Sequence, residues 1–330
     1  MRTILRSVSE GRPGVAWARH FEALWPGYRR WYLIEGEAAR PTYLACERAL
    51  IAHMPEIVPL WQELVALAGG SDLAARYLSG YCPPPYMSGC SQAVWLRGEP
   101  LLVRNYDYLP ELWEGLLSCT RWRGRAVLGM SDCLWGILDG MNDAGLAVSL
   151  AFGGSRDVGV GFGIPIVLRY ILEVCSTVPE ALAVLQRVPC HMAYTVTVLD
   201  PTGAHGTVFL APGKPPFISV RQVATNHQGQ VSWPQHAIAT GSVDRLTVLT
   251  SHLHRDTETA ERFASRFLEP PTWSDPRGSG WGTLYTTLYW PTRRAMEVRW
   301  HGHSLAQSVE AFAPGALAIP SPPDSTLRPW

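Results

Sequence analysis

The chain has 330 residues, 47% hydrophobic and 17% charged, which excludes a disordered polypeptide and leaves room for one large domain or two ordinary ones. Its 28 Lys and Arg balance 28 Asp and Glu, so no global field draws it to nucleic acid or an anionic membrane. Lys214 is the only lysine, and the arginines are scattered.

The opening "MRTILRSVSEGRPG" turns polar before an apolar stretch forms. No apolar run approaches the roughly 20 residues of a spanning helix. A soluble, cytoplasmic protein with no membrane or nucleic-acid partner is expected. Apolar spacing makes the first 85 or so residues helical. In "PTYLACERALIAHMPEIVPLWQELVALAGG", Pro55 and Pro59 break or restart the helix, and Gly69-Gly70 ends it. Ser71-Asp72 caps the next helix, "DLAARYLSGY", and Pro83-Pro84-Pro85 is a rigid spacer. From Cys90 the texture turns to strands: "CSQAVWL", "PLLVRNYD", "RAVLGM" and "WGILDGM". "DGMNDAGLAVSLAFGG" is a hairpin turning at Asn142 to Gly145. "IPIVLRYILEVCSTVPEALAVLQRV" is a helical pair divided at Thr177-Val178-Pro179. "AYTVTVLDPTGAHGTVFL" is a second hairpin, "SVDRLTVLTSHL" and "TETAERFASRFLEP" are helices, and "TLYTTLYWPTRRAMEVRW" is a third hairpin. The tail "IPSPPDSTLRPW" is expected to be loose. This order suits two mixed or antiparallel sheets between helical layers better than a parallel βαβ series.

Seven cysteines, an odd number with no CxxC pair, fit a reducing compartment. Cys46, Cys82, Cys119, Cys133, Cys175 and Cys190 read as core thiols. Cys90 stands apart for three reasons. Gly89 precedes it and leaves an uncrowded carbonyl with free backbone angles. A thiol attacking that carbonyl would form a thioester, and water would open it to leave Cys90 with a free α-amine. Such an amine ordinarily titrates at about 7.7–8.0, which suits a general base. A hairpin turning at Arg97 to Pro100 would then return Arg104 and Asp107 beside Cys90. The guanidinium would favour the thiolate, and the carboxylate would hold the amine. Finally, "VATNHQGQVSWP" ends a strand-like run in Asn226, whose amide suits an oxyanion. The bland alternatives are a buried thiol, a surface ion pair and a turn asparagine.

Together these residues resemble the cysteine N-terminal-nucleophile (Ntn) hydrolases, and within them the acyl-CoA:isopenicillin N acyltransferase family, with the choloylglycine hydrolases more distant. "SGCSQAV" is similar to the family's autocleavage site, "RNYD" to its Arg-Asn-x-Asp motif, "DGMNDAGLAV" to its Asp-Gly-x-Asn hairpin and "ATNH" to its oxyanion segment. "SVDR" resembles its late Ser-x-x-Arg element, giving Ser242 and Arg245, and "TLYTTLYW" its closing strand. The resemblance implies an α+β fold, a four-layer αββα sandwich of two antiparallel sheets. Residues 1–89 would be a helical pre-cleavage segment, the small chain after processing, and residues 90–330 the catalytic domain. It implies cleavage at Gly89-Cys90, with Cys90 as nucleophile, Arg104 and Asp107 positioning it, and Asn226 in the oxyanion hole. Arg245 would order the pocket or pair with a substrate carboxylate. Where the choloylglycine hydrolases carry a second oxyanion asparagine, this chain has Ala151 and Phe152. A backbone N–H of Ser91 or of Ala151–Phe152 would substitute, and Gly153-Gly154 would let substrate approach.

The implied reaction passes an acyl group from a linear amide or an acyl-CoA thioester, through a Cys90 acyl-enzyme, to water or an amine. No cofactor is expected, with acyl-CoA only as a substrate. The rival is an unprocessed, non-catalytic protein that binds a small acylated ligand or a partner. No metal site is expected: neither His252/His254 nor His301/His303 has companion ligands in sequence. The enzymatic reading requires the Cys90 sulfur, once its own backbone nitrogen is liberated, at the mouth of a cavity, near a guanidinium, a carboxylate and a side-chain amide.

Overall fold

The central strands of both sheets of this protein are buried on both faces, so each sheet needs a covering layer on either side there. The computed structural model describes residues 3–275 and 281–319. In chain order the strands are β1 (Thr3–Glu10), β2 (Gly89–Trp95), β3 (Leu101–Tyr108), β4 (Leu116–Thr120), β5 (Val127–Asp132), β6 (Gly136–Asn142), β7 (Ala147–Phe152) and β8 (Tyr194–Leu199). They continue with β9 (His205–Leu210), β10 (Phe217–Ser219), β11 (Val223–Ala224), β12 (Gly282–Trp290), β13 (Ala295–Trp300), β14 (His303–Ser308) and β15 (Gly315–Ile319). The helices are α1 (Val15–Tyr32), α2 (Tyr43–His53), α3 (Val58–Leu67), α4 (Asp72–Leu78), α5 (Ile164–Val174), α6 (Val178–Arg187), α7 (Pro234–Ala239), α8 (Ser242–Leu253) and α9 (Ala260–Ser265).

The nine-stranded sheet runs β10-β9-β8-β7-β6-β5-β4-β1-β15, and the six-stranded sheet β11-β2-β3-β12-β13-β14. They stack face to face, stitched by buried polar contacts: Gln92 Nε2 donates to the Thr195 carbonyl at 3.1 Å, and Ser149 Oγ to Gln92 Oε1 at 2.6 Å. Helices α5 and α6 cover the outer face of the larger sheet. Helices α8 and α9 cover the smaller, where Leu249, Leu253 and Phe263 meet Trp95, Leu101 and Val103 in a separate apolar cluster. The result is the expected αββα order of layers. No helix among the described residues is long and apolar enough to cross a membrane.

The local punctuation expected from sequence holds. Helix α2 stops before Pro55. Gly69 and Gly70 both take positive φ after α3, and Ser71 Oγ accepts from the Ala74 N–H to cap α4. Two expectations need correcting. Residues 1–89 are not wholly helical, because Thr3–Glu10 is a strand. The larger sheet is also not purely antiparallel: β1 lies parallel to β4 on one side and antiparallel to β15 on the other. Residues 1–89 thus supply a strand wedged between two strands of the remainder. Of the tail expected to be loose, residues 319–330, Ile319 is the last residue of β15 and the rest lies outside the described residues.

Candidate active site

The β2–β3 hairpin sets the site. Its register places Gly89 opposite Asp107, Cys90 opposite Tyr106 and Gln92 opposite Arg104. Successive side chains alternate between faces, so Cys90, Gln92, Arg104 and Tyr106 point between the two sheets, and Ser91 and Asp107 point toward the outer helices. Arg104 and Asp107, three apart, therefore serve opposite faces of one strand.

On the inner face, Arg104 Nη2 donates to Cys90 Sγ at 3.3 Å, and its Nε to the Leu150 carbonyl at 2.9 Å. Its Nη1 pairs with the Asp139 carboxylate and lies 2.9 Å from the Tyr285 hydroxyl. Asp139 also accepts from Tyr285 Oη at 2.8 Å and Tyr289 Oη at 2.6 Å. Ser88 Oγ lies 3.7 Å from Cys90 Sγ. Burial pushes the Cys90 thiol above its ordinary range; the Arg104 guanidinium pulls it down, and Asp107 adds a smaller upward push.

On the outer face, strand β11 pairs Val223 with Ala93 and Ala224 with Gln92. Continuing that register brings Asn226 level with Cys90, and the Cys90 N–H donates to Asn226 Oδ1 at 2.9 Å. Arg245, in the first turn of α8, spans the site. Its Nη1 donates to Ser91 Oγ at 2.8 Å and Asp107 Oδ2 at 3.1 Å, and its Nη2 to Asn226 Oδ1 at 2.7 Å. Thr283 Oγ1 donates to Asp107 Oδ1 at 2.7 Å. Burial raises the Asp107 carboxyl above its usual range, with Arg245 opposing.

Cys90, Arg104, Asp107, Asn226, Arg245 and Ser91 thus come together in the uncut chain. Asp107 is engaged by Arg245 and Thr283, while the nitrogen of Cys90 is held by Asn226. The Asn226 Nδ2 donates to the Ser88 carbonyl at 3.3 Å and the Phe152 carbonyl at 3.1 Å, one peptide away from the carbonyl of Gly89. Gly89 does not use a left-handed backbone. It is needed for space, since a Cβ there would meet Asp107 Cβ at 2.9 Å. Gly153 and Gly154 serve packing rather than substrate approach: a Cβ on Gly154 (φ +71°) would lie 2.1 Å from the Asn226 carbonyl. Ala151 lies within β7, opposite Thr195. Ser242 sits apart, with its Oγ 2.8 Å from His227 Nδ1 and 3.0 Å from Thr225 Oγ1. Nor does the sulfur stand at a cavity mouth. Cys90 is fully buried, and the uncut 83–89 segment runs directly into it.

Sequence reasoning missed Asp139, Tyr285, Tyr289 and Thr283. Asp139 is the acid of "DGMN", a stretch whose sequence signals only a hairpin. Tyr285 and Tyr289, four apart on a strand, share a face. A bulge between Thr283 and Tyr285 turns the threonine to the outer face and the tyrosine inward, which no alternation rule reveals. Among the described residues no three His, Cys, Asp or Glu side chains converge as a metal site. His252 pairs with Glu258 at 3.3 Å, and His301 hydrogen-bonds the Leu268 carbonyl.

No curated protein matches the chain. Among solved structures it is similar to penicillin V acylase from Agrobacterium tumefaciens, at 17% identity over 70% of this chain and 92% of that one, with a TM-score of 0.45. It is also similar to the N-acylethanolamine-hydrolyzing acid amidase ortholog of Caenorhabditis elegans, at 15% identity over 70% and 100% with a TM-score of 0.48. A mutant conjugated bile acid hydrolase from Clostridium perfringens matches at 13% identity over 70% and 97%, with a TM-score of 0.43. One family profile matches residues 95–305, well over half of the chain. It starts beyond Cys90 and takes in Arg104, Asp107, Asn226, Ser242 and Arg245. The chain therefore belongs to the acyl-coenzyme A:6-aminopenicillanic acid acyl-transferase family.

Proposed function

We propose that the protein is a self-cleaving cysteine acyltransferase or amidohydrolase of Ntn type. In maturation the Cys90 thiol attacks the Gly89 carbonyl. The thiol has released its proton to solvent, the C–N bond breaks, the departing nitrogen takes a proton back from solvent, and a thioester forms. Water opens it to a Gly89 carboxylate and a Cys90 thiol with a free α-amine. In turnover the same sulfur attacks an amide or thioester donor, and the α-amine carries the proton to the leaving group. Water or an amine then takes the acyl group. Asn226 Oδ1 already holds the nitrogen that becomes the base. Arg245 keeps Asn226 and Asp107 in place, and Arg104 faces the sulfur throughout. The odd number of cysteines and the lack of a CxxC pair suit a reducing, cytoplasmic location.

One observation carries this reading: Cys90 Sγ lies 3.3 Å from Arg104 Nη2 on a residue whose own N–H is bound by Asn226. The test is Cys90→Ala. The variant is expected to run as one chain on a denaturing gel and to transfer no acyl group, while the wild type runs as two. Two fragments from the variant would sink the proposal. Product analysis with and without an added amine separates transferase from hydrolase.

A further inference from the structure

A cavity of about 380 Å³ lies at the Cys90 end of the β2–β3 hairpin. Its walls come from both sides of the proposed cut. Leu24, Tyr28, Trp31 and Tyr86 precede it, and Tyr108 and Trp113 follow. It opens to solvent past Gly27, Arg30, Glu111 and Leu112, all exposed. Its volume equals roughly a dozen water molecules of liquid, enough for a group the size of an aromatic amino acid.

The polypeptide itself indicates which side of the bond this cavity serves. In self-cleavage the acyl group is the segment ending at Gly89. Three residues upstream of that carbonyl, Tyr86 forms part of the cavity wall, its ring 6.1 Å from that of Trp31. An acyl group attached later to the same sulfur departs in the same direction. Tyr106, opposite Cys90, continues the path by stacking on Tyr108 at 5.6 Å.

The inner wall is mostly aromatic, with Asp132 and Glu114 as its two carboxyl groups and Arg30 and Glu111 at the rim. Asp132 Oδ1 accepts from the Cys133 N–H at 2.8 Å and lies 2.9 Å from the Tyr28 hydroxyl, whose one proton goes to Glu114, whereas no donor among the described residues reaches Oδ2. The neighbouring Glu114 is already matched. His20 Nε2 lies 2.9 Å from it, the Leu134 N–H donates to it at 2.8 Å, and Tyr28 donates to it as well. The Trp113 Nε1–H is buried without an acceptor. Burial and the neighbouring Glu114 push the Asp132 carboxyl up to about 7, so a cation beside its open oxygen would restore the carboxylate; an aromatic box with such a group suits a cation on an apolar body.

Resting on the function proposed above, we infer that this cavity is the acyl subsite of the matured enzyme, and that it takes an acyl group with an aromatic or branched apolar body bearing a positively charged amine. Asp132 receives the amine, and the rings of Trp31, Tyr86, Tyr108 and Trp113 receive the body. The pre-cleavage segment thereby remains a substrate-binding chain after the cut.

The test uses the matured wild-type protein and two 4-nitroanilides: phenylalanyl, and 3-phenylpropionyl, which lacks only the amine. The charged compound is expected to acylate Cys90 and release nitroaniline at least about tenfold faster, and Asp132→Asn is expected to lower that ratio at least about tenfold, the part that the amine's own activation of the carbonyl supplies remaining in both proteins. Equal rates, or a ratio that Asp132→Asn leaves in place, overturn the inference. Calorimetry of phenylalaninamide against 3-phenylpropionamide on the wild type gives a second reading that needs neither turnover nor the variant. The amine should bind at least about tenfold tighter, and equal binding overturns the subsite. If neither anilide acylates Cys90, the proposed function fails on those donors while the calorimetry still decides the subsite.

Discussion

The guanidinium of Arg104 meets a thiol on one side and a carboxylate on the other, so only part of its charge is free to act on the sulfur. Desolvation wins, and the thiol of the uncut chain is held protonated at neutral pH. The thiolate is the attacking form, and the folded chain suppresses it. The maturation rate should therefore rise about tenfold per pH unit from pH 6 to 8, and keep rising beyond the ordinary thiol pKa of about 8.5. A stopped time course on freshly refolded protein at several pH values measures this, and a flat profile over pH 6–8 would count against it. Asp139 is the counter-charge, and its role was not legible in sequence because its partners lie 35, 146 and 150 positions away. Truncating it leaves a buried arginine uncompensated, so Asp139→Ala should lose about 3–5 kcal/mol of stability by denaturant titration. A loss below about 1 kcal/mol would show that Arg104 finds another partner.

At the scale of elements, the hairpin that carries the chemistry was readable because its parts are local. Arg97 to Pro100 is a turn flanked by apolar runs, and from it the pairing of Cys90 with the return strand follows. The helical punctuation at Pro55, Gly69-Gly70 and Ser71 was readable for the same reason. Strand β1 was not. Arg6, Ser7 and Ser9 weaken its alternation, and it is defined by β4 and β15, which lie more than 100 and 300 residues on. The same holds for the bulge that turns Thr283 and Tyr285 to opposite faces. Because β1 is bonded on both sides, its removal exposes two strand edges. Deleting residues 1–10 should leave little soluble protein and much aggregate on expression. A soluble, monomeric truncation of unchanged thermal midpoint would contradict the role assigned to β1.

Across the whole molecule, two sheets, four layers and a wedged strand make the proposed cut a local event. One peptide bond at the start of β2 would be lost while the ladders to β3 and β11 stay in place, and residues 1–89 would stay locked through β1 and through helix α1. The cut and uncut proteins should therefore elute together on size exclusion. The most direct measurement is the intact mass of the wild-type protein under denaturing conditions. The account predicts two chains, one ending in the carboxylate of Gly89 and one beginning with the free amine of Cys90. A single intact chain of 36.5 kDa, under conditions where the protein is folded and given time to mature, would contradict it.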